Sequence, residues 1–304
     1  MDLAAGCNVC GGAVTTRFSE VRDPQTGELF SILECPACGL GQTSPQPDDL
    51  GRYYGAAYHG GRHGFTARHC IARRLEFVQT VAGPGRGRAL LDVGCGDGSF
   101  LEAARSRSGW LIAGTEMNPA AARSKGIAVR DSIEAIGPVA GPFDCITLWH
   151  SLEHIRDPMS ALKTLSTFLV PGGVLVAAVP NYGGLQARAF GAGWFHLDVP
   201  RHLFHFRRRS LALALSSAGL APFQEWHQEF EYDLFGWSQS ALNRFMHVPN
   251  GFFYQLTGKP TSASPVERIM NLAIGTMLTG LSLPAVVAGS AFKRGGTLVI
   301  AARK

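Results

Sequence analysis

The stretch that most limits the architectures open to this chain is ALLDVGCGDGSFLEAARSRSG, residues 89–109. Ala89 to Val93 reads as a short apolar strand. Gly94-x-Gly96-x-Gly98 follows as a turn whose backbone can pass close beneath a ligand, and a helix opens near Ser99 and stops at Gly109. The spacing is GxGxG, which is neither the GxGxxG of dinucleotide folds nor a P-loop ending in Gly-Lys-Ser/Thr.

The next segment, WLIAGTEMNPAAARSKG (110–126), repeats the strand-and-helix alternation. Its strand ends at Glu116, Asn118-Pro119 starts a helix, and Gly126 ends it. An acidic residue closing a second strand suits the two hydroxyls of a ribose. IAVRDSIEAI (127–136) supplies a third strand and its exit, and FDCITLWHSLEHIRDP (143–158) a fourth. Asp157-Pro158 starts the following helix, Pro171-Gly172-Gly173 ends it, and GGVLVAAVPN (172–181) is a continuous apolar fifth strand. Such alternation predicts an α/β, Rossmann-like, doubly wound parallel sheet with its site at the carboxyl ends of the strands. Trp149, His150 and His154, just after strand four, and residues from Asn181 onward face that site.

Ahead of this region stand two near-identical knuckles, CNVCGG (Cys7, Cys10) and CPACGL (Cys35, Cys38). Two CxxCG pairs direct four thiolates at one centre, which fits a tetrahedral zinc ion. The residues between them read as a hairpin with Pro24, Thr26 and Gly27 at the bend. A four-cysteine shell has no open position, so the expected zinc is structural, and cysteines used this way point to a reducing compartment.

Taken together, residues 86–230 and the C-terminal strand resemble the class I S-adenosylmethionine-dependent methyltransferases, whose sheet has seven strands. The resemblance implies that Gly94, Gly96 and Gly98 lie under the methionine part of the cofactor and that Asp92 orients their loop. It further implies that Glu116 holds the ribose, Met117 packs on the adenine and His150 lines the pocket. Asp131 would meet the adenine amino group; the same residue also suits a helix N-cap. The EHIRDP and PRHLFHF segments resemble a narrower bacterial group with an N-terminal zinc ribbon. Relatives of that group are sugar C-methyltransferases with a cysteine-bound zinc domain and ubiquinone-pathway O-methyltransferases. In such proteins tyrosines near YYGAAYHGG (53–61), here Tyr54 or Tyr58, cover the cofactor.

WFHLDVPRHLFHF (194–206) holds His196, His202 and His205 on the rim after strand five. If the acceptor is a hydroxyl or an acidic carbon, a base must take its proton, and imidazole is suited to that. His154 and His202 are the candidates; the alternative is that each braces a loop, for instance against Asp198. Arg201 is a candidate for binding an anionic substrate group. No carboxylate cluster accompanies the three histidines, so a second metal is not expected. After Arg207-Arg208-Arg209, Ser210 is the expected helix cap.

The expected organisation is a zinc ribbon (1–44), a helical linker or lid (45–84), a methyltransferase core (85–235 and 295–304) and an apolar helical insertion (236–294). Only 17% of the residues are charged, below the ~25% typical of soluble proteins, so an apolar surface is expected somewhere. The run Ile269–Phe292 holds 24 residues without a charge, flanked by Arg268 and by Lys293-Arg294. Its polar residues and the returning last strand argue against a single crossing. It reads as a helical hairpin dipping into a membrane face, an apolar cover over the acceptor, a buried helix pair or a homodimer interface. No secretory signal is visible, so the expected location is cytoplasmic, peripheral at the inner membrane face. The expected activity is methyl transfer from S-adenosylmethionine to O or C of a small-molecule acceptor, lipid-linked, quinone or polyketide, or sugar-type. The alternative is an RNA methyltransferase using the ribbon to bind RNA. Net charge is only +5 and the strand-four exit is LWHSLEHI, not an NPPY-type tetrapeptide, so nucleic acid is the less favoured partner. A non-enzymatic scaffold keeping the fold is the third reading, against which the intact glycines and Glu116 stand.

Overall fold

The computed structural model describes residues 6–54, 67–136, 141–259 and 261–304. Tyr58, one of the two expected lid tyrosines, lies outside the described residues. In chain order the first elements are β1 (Thr15–Arg22), β2 (Leu29–Glu34), β3 (Gly41–Ser44), α1 (Ala67–Ala82), β4 (Ala89–Val93) and α2 (Ser99–Ser108). There follow β5 (Leu111–Thr115), α3 (Ala120–Arg123), β6 (Ala128–Arg130), β7 (Phe143–Trp149), α4 (Pro158–Phe168), β8 (Leu169–Pro180) and α5 (Leu185–Phe190). The last are β9 (Phe204–His205), α6 (Arg208–Ser217), β10 (Ala221–Trp226), α7 (Phe230–Leu242), α8 (Gly251–Thr257), α9 (Pro265–Leu281), α10 (Leu283–Ala291) and β11 (Thr297–Arg303).

These elements gather into two units. One is built on Ala67–Val179, Leu211–Glu225 and Val299–Lys304. Its centre is a seven-stranded sheet in the order β10-β11-β8-β7-β4-β5-β6. β4 pairs in parallel with both β5 and β7, setting Leu91 beside Ala113 on one side and Ile146 on the other. β5–β6 and β7–β8 are parallel too. Lys304 N–H donates to Gly173 O and Gly172 N–H to Lys304 O, so β11 runs opposite to β8. Leu90, Leu91, Cys145, Ile146, Leu148, Leu175 and Val176 are fully buried, as continuous apolar strands must be when both sheet faces are covered. From β4 the chain winds outward through β5 and β6, then restarts on the other flank with β7 and β8. The carboxyl ends of β4 and β7 therefore flank the switch point, where such sheets bind ligands.

Helix ends follow local chemistry, with three departures from the expected boundaries. Gly109, in the left-handed region, closes α2, and Asp157 caps α4 by accepting the Ser160 N–H at 2.9 Å, with Pro158 in the first turn. The helix after β5 is only four residues long, and its cap position is Pro119, one residue beyond Asn118. α4 already stops at Phe168, where Leu169 turns extended, so Pro171-Gly172-Gly173 lies inside β8 and does not end the helix. α6 begins at Arg208, and Ser210 lies inside its first turn. Ser210 Oγ accepts the Arg207 N–H at 2.9 Å, the reciprocal half of a capping box.

The other unit combines the chain up to Thr66 with Pro180–Ser210 and Trp226–Leu298. Its sheet runs β1-β2-β3-β9. β1 and β2 form the expected hairpin: Asp23 Oδ2 accepts both the N–H and the Oγ1–H of Thr26, and Gly27 takes φ +76°. β9 then adds antiparallel to β3, Gly41 facing His205 and Gln42 facing Phe204. Val21, Phe30 and Ile32 from the hairpin pack with Tyr53, Tyr182, Trp194, Leu197 and Val199 in one apolar core. α9 and α10 are bent by 41° at Ser282 and do not fold back as a hairpin; among the described residues no single helix is long and apolar enough to cross a membrane.

Candidate cofactor and catalytic site

The turn after β4 has the backbone its glycines permit. Gly94, Gly96 and Gly98 take φ of +75°, +55° and +76°. A Cβ on Gly94 would lie 2.8 Å from Ser151 Cβ, and one on Gly98 2.5 Å from Ile127 Cδ1, so both are packed from behind. A Cβ on Gly96 would meet nothing within 4 Å. The loop is thus tied down at both ends and open in the middle. Gly94 and Cys95 both donate their N–H to Thr115 O at 2.9 Å, which fixes the turn to the end of β5.

Glu116 sits one residue past β5 and is half-buried. Its Oε2 accepts the Gly96 N–H at 2.9 Å and its Oε1 the Asn118 N–H at 3.3 Å, so the carboxylate is held at the open side of the turn. Met117 is 69% exposed. Asp131 is also exposed and accepts a hydrogen bond from Arg123 Nη2 at 2.7 Å. It does not cap the turn Glu134–Ile136; Ser132 Oγ does, accepting the Ala135 N–H. Together the open glycine, the anchored carboxylate and the N-terminus of α2 could hold a ligand combining an amino-acid end with a nucleoside.

Asp92 is buried in β4 and accepts Thr147 Oγ1–H at 2.7 Å, a bond that ties β4 to β7. Burial pushes its carboxyl up to about 7, against the smaller opposing effect of the Thr147 hydrogen bond. At the end of β7, Ser151 Oγ donates to Val93 O at 2.7 Å, a second tie across the switch point. His150 takes φ +53°, donates its N–H to Ala178 O at 2.9 Å, and sets Nδ1 3.7 Å from Glu153 Oε1. Glu153 is buried, and His154, half-buried, ends the short turn Leu152–His154. Trp149 belongs to the wall: its ring packs on Phe77 and Phe100, with the Arg74 guanidinium 5.0 Å above it.

In the other unit the three rim histidines go to three different partners. His196 Nε2 lies 3.1 Å from Tyr232 O, and His205 Nε2 lies 3.0 Å from Thr43 Oγ1. His202 Nδ1 lies 2.8 Å from His196 O, which can only accept, so Nδ1 carries the proton. In the neutral ring the lone pair is then on Nε2, which stands 4.0 Å from Asp198 Oδ2. Arg201 is fully buried and donates to Asp198 Oδ1 at 2.7 Å, Asp23 Oδ1 at 2.9 Å and Tyr53 O at 3.3 Å. Its fork is spent on the hairpin bend and its own loop, so it does not serve as a substrate anion clamp. Burial works against that charge, but Asp198 and Asp23 together hold the guanidinium above its usual range.

A methyltransferase-domain family profile matches residues 63–225, more than half of the chain, running from before α1 into β10. The chain belongs to this methyltransferase family. It is a class I S-adenosylmethionine-dependent methyltransferase with the Rossmann-like sheet that this class uses. Among curated proteins, this methyltransferase is 32% identical over 167 residues to the ubiquinone biosynthesis O-methyltransferase of Bordetella avium, covering 49% of this chain and 68% of that one. It is 33% identical over 170 residues to the enzyme of the same name from Ralstonia nicotianae, covering 50% and 70%. Among solved structures, one from Galdieria sulphuraria assigned as a sarcosine dimethylglycine methyltransferase superposes with a TM-score of 0.51. That pair is 15% identical, with 83% of this chain and 97% of that one covered, a likeness of fold.

The cysteine knuckles of the methyltransferase lie ahead of the matched span. Each closes the same pair of backbone bonds: Cys7 N–H to Gly12 O and Gly11 N–H to Cys7 O, then Cys35 N–H to Leu40 O and Gly39 N–H to Cys35 O. Gly11 and Gly39 take φ of +70° and +79° to allow these turns. The result sets Cys7 Sγ 3.4 Å from Cys38 Sγ and Cys10 Sγ 3.5 Å from Cys35 Sγ, all four within 4.8 Å of one another. These spacings are far beyond a disulfide and near the roughly 3.8 Å edge of a tetrahedron built on ~2.3 Å metal–sulfur bonds. The donor set fits a metal ion of the zinc type.

The sequence reading missed Thr147, Ser151 and Glu153. Thr147 and Ser151 act through a neighbouring strand, so nothing in their own segments signals them. Glu153 had a visible signal, an acid between two histidines on a strand exit.

Proposed function

We propose that this methyltransferase acts on a hydroxyl or acidic carbon of a small molecule of the quinone or polyketide, lipid-linked or sugar type. The observation that carries the reading is the pair of relatives above, both named for O-methylation in ubiquinone biosynthesis. When bound, S-adenosylmethionine supplies a methyl group already activated by its sulfonium, so the chain's work is alignment and proton removal. Gly94, Gly96 and Gly98 hold the methionine part through their backbone, and Glu116 holds the ribose hydroxyls. Met117 covers the adenine ring, Asp131 takes its amino group, and His150 lines the pocket. Asp92 keeps the loop in place through Thr147. His154 and His202 are the candidate bases; for His202, Nε2 is the atom that takes the acceptor's proton, because Nδ1 is committed to His196 O. Cys7, Cys10, Cys35 and Cys38 hold a structural zinc, with no coordination position left for substrate.

The test has two stages. Calorimetry with S-adenosylmethionine asks whether the cofactor binds. Radiolabelled cofactor incubated with a cell extract, followed by partition into organic, aqueous, protein and RNA fractions, then asks where the methyl goes. Label in the organic or small-molecule aqueous fraction is expected, with His202→Ala or His154→Ala lowering kcat and leaving cofactor affinity unchanged. Label confined to RNA or protein overturns the reading. Metal analysis is expected to find zinc at about one ion per chain, lost in Cys35→Ser.

A further inference from the structure

The helix pair α9–α10 turns its apolar side chains outward. Ile269, Met277, Leu281, Val287 and Phe292 are 69%, 56%, 67%, 62% and 73% exposed. The inward positions of α9 include Asn271 and Gly275, both buried. A Cβ on Gly275 would come within 2.7 Å of the Phe252 ring, and one on Gly251 within 2.6 Å of Asn271 Nδ2, so this inner face is fitted closely to α8. An ordinary surface helix has the reverse polarity. The charges along this stretch of the sequence are equally one-sided. No acidic residue follows Glu267 in the sequence, and Glu267 Oε1 is already held by the Val248 N–H. Arg268 stands exposed at one end of the uncharged run, Lys293 and Arg294 at the other.

We infer that α9–α10 is an interfacial anchor that lies in the headgroup layer of an anionic phospholipid bilayer. Its exposed apolar side chains reach the acyl boundary, and Arg268, Lys293 and Arg294 meet lipid phosphates. The pair lies in the plane and does not span. α9 has 17 residues, about 25 Å at 1.5 Å each, short of the ~30 Å hydrocarbon core, and the chain bends 41° before α10 continues. Charge complementarity selects the occupant. A second copy docked here, parallel or antiparallel, would bring basic ends onto basic ends, whereas an anionic lipid surface is complementary to them. The anchor is independent of which acceptor is methylated.

The full chain is sedimented with vesicles of phosphatidylcholine alone and with one quarter phosphatidylglycerol. Binding to the anionic vesicles is expected, falling at least tenfold in Leu281→Glu/Val287→Glu. Lys293→Glu/Arg294→Glu is expected to lose several-fold on anionic vesicles and to match the parent on neutral ones. Both variants should bind S-adenosylmethionine as the parent does, which shows them folded and separates this test from that of the acceptor. Phe292→Trp gives a readout that disturbs no packing: its added emission should shift to the blue when anionic vesicles are mixed in. Absent binding of the parent, equal binding of Leu281→Glu/Val287→Glu, or an unshifted emission from the Phe292→Trp variant overturns the anchor. So does a dimer seen by ultracentrifugation that these glutamates disperse while vesicles are ignored, which assigns the face to a second copy.

Discussion

Glu116 Oε2 accepts the Gly96 N–H at 2.9 Å across twenty residues of sequence, so the carboxylate is positioned before any ligand arrives. A preset carboxylate spares a bound ribose the cost of ordering it. Glu116→Ala is expected to weaken S-adenosylmethionine binding roughly 10- to 100-fold, the equivalent of about 1.5–3 kcal/mol for a hydrogen bond to a charged group. Because the side chain is half-exposed, unfolding free energy should move by less than about 1 kcal/mol. Titration calorimetry beside a denaturant curve separates the two effects; an unchanged Kd removes Glu116 from the ribose site.

Gly96 and Gly98 should respond differently to the same substitution. Both take positive φ, at about 1–2 kcal/mol for a residue with a Cβ. Gly98→Ala must also push aside Ile127 Cδ1 at 2.5 Å, whereas Gly96→Ala enters open space. Gly98→Ala is therefore expected to lose roughly 2–4 kcal/mol of stability once overpacking is added. Gly96→Ala should stay near the lower figure and lose cofactor affinity instead. Equal losses of stability in the two variants would contradict this division.

Asp92 makes stability depend on pH. Its carboxyl is raised to about 7 in the folded chain, so between the ordinary carboxylate range and pH 7 the folded state holds a proton that the unfolded state has released. Stability from this group is present at low pH and is lost as pH rises towards 7. Asp92→Asn, which stays neutral, should flatten that part of the profile. The difference between parent and variant, measured by urea unfolding from pH 5 to pH 8, should grow in the variant's favour by a few kcal/mol. A constant difference across the range would mean that the carboxyl is not raised.

Arg201→Met should be among the most damaging single changes. It leaves Asp23, fully buried, facing no cation, at an expected cost of about 3–5 kcal/mol. Double substitution with Asp23→Asn should recover part of that loss. If Arg201→Met is mild, the triad is wetter than its burial indicates.

What was legible in the sequence was local. The strand–turn–helix from Ala89 to Gly109, the cap at Asp157-Pro158 and the knuckles at Cys7 and Cys35 depend on residues within a few positions of one another, and each formed at the expected place. What was not legible was set by distant partners. Asp131 suited a helix cap, but its neighbour Ser132 caps the turn and Asp131 accepts from Arg123. Arg201 looked available to substrate because its partner Asp23 is 178 residues away. The histidines of residues 194–206 stand close in sequence, yet each ring meets a different neighbour, and of the three only His205 is carried to its partner by the docking of β9 on β3. The outward polarity of α9 was equally hidden, since an apolar run does not say which side faces the protein.

The pairing of β9 with β3 gives the N-terminal cysteine ribbon a schedule. Thr43 waits for His205, which leaves the ribosome 162 residues later, and until then the free edge of β3 is exposed during synthesis. A nascent chain can fold its knuckles and take up metal early, but it completes this sheet only after the whole strand–helix alternation between them has been made. Excising the first 44 residues as a separate fragment would leave that edge uncovered, a template for aggregation that the intact chain closes with its own later segment.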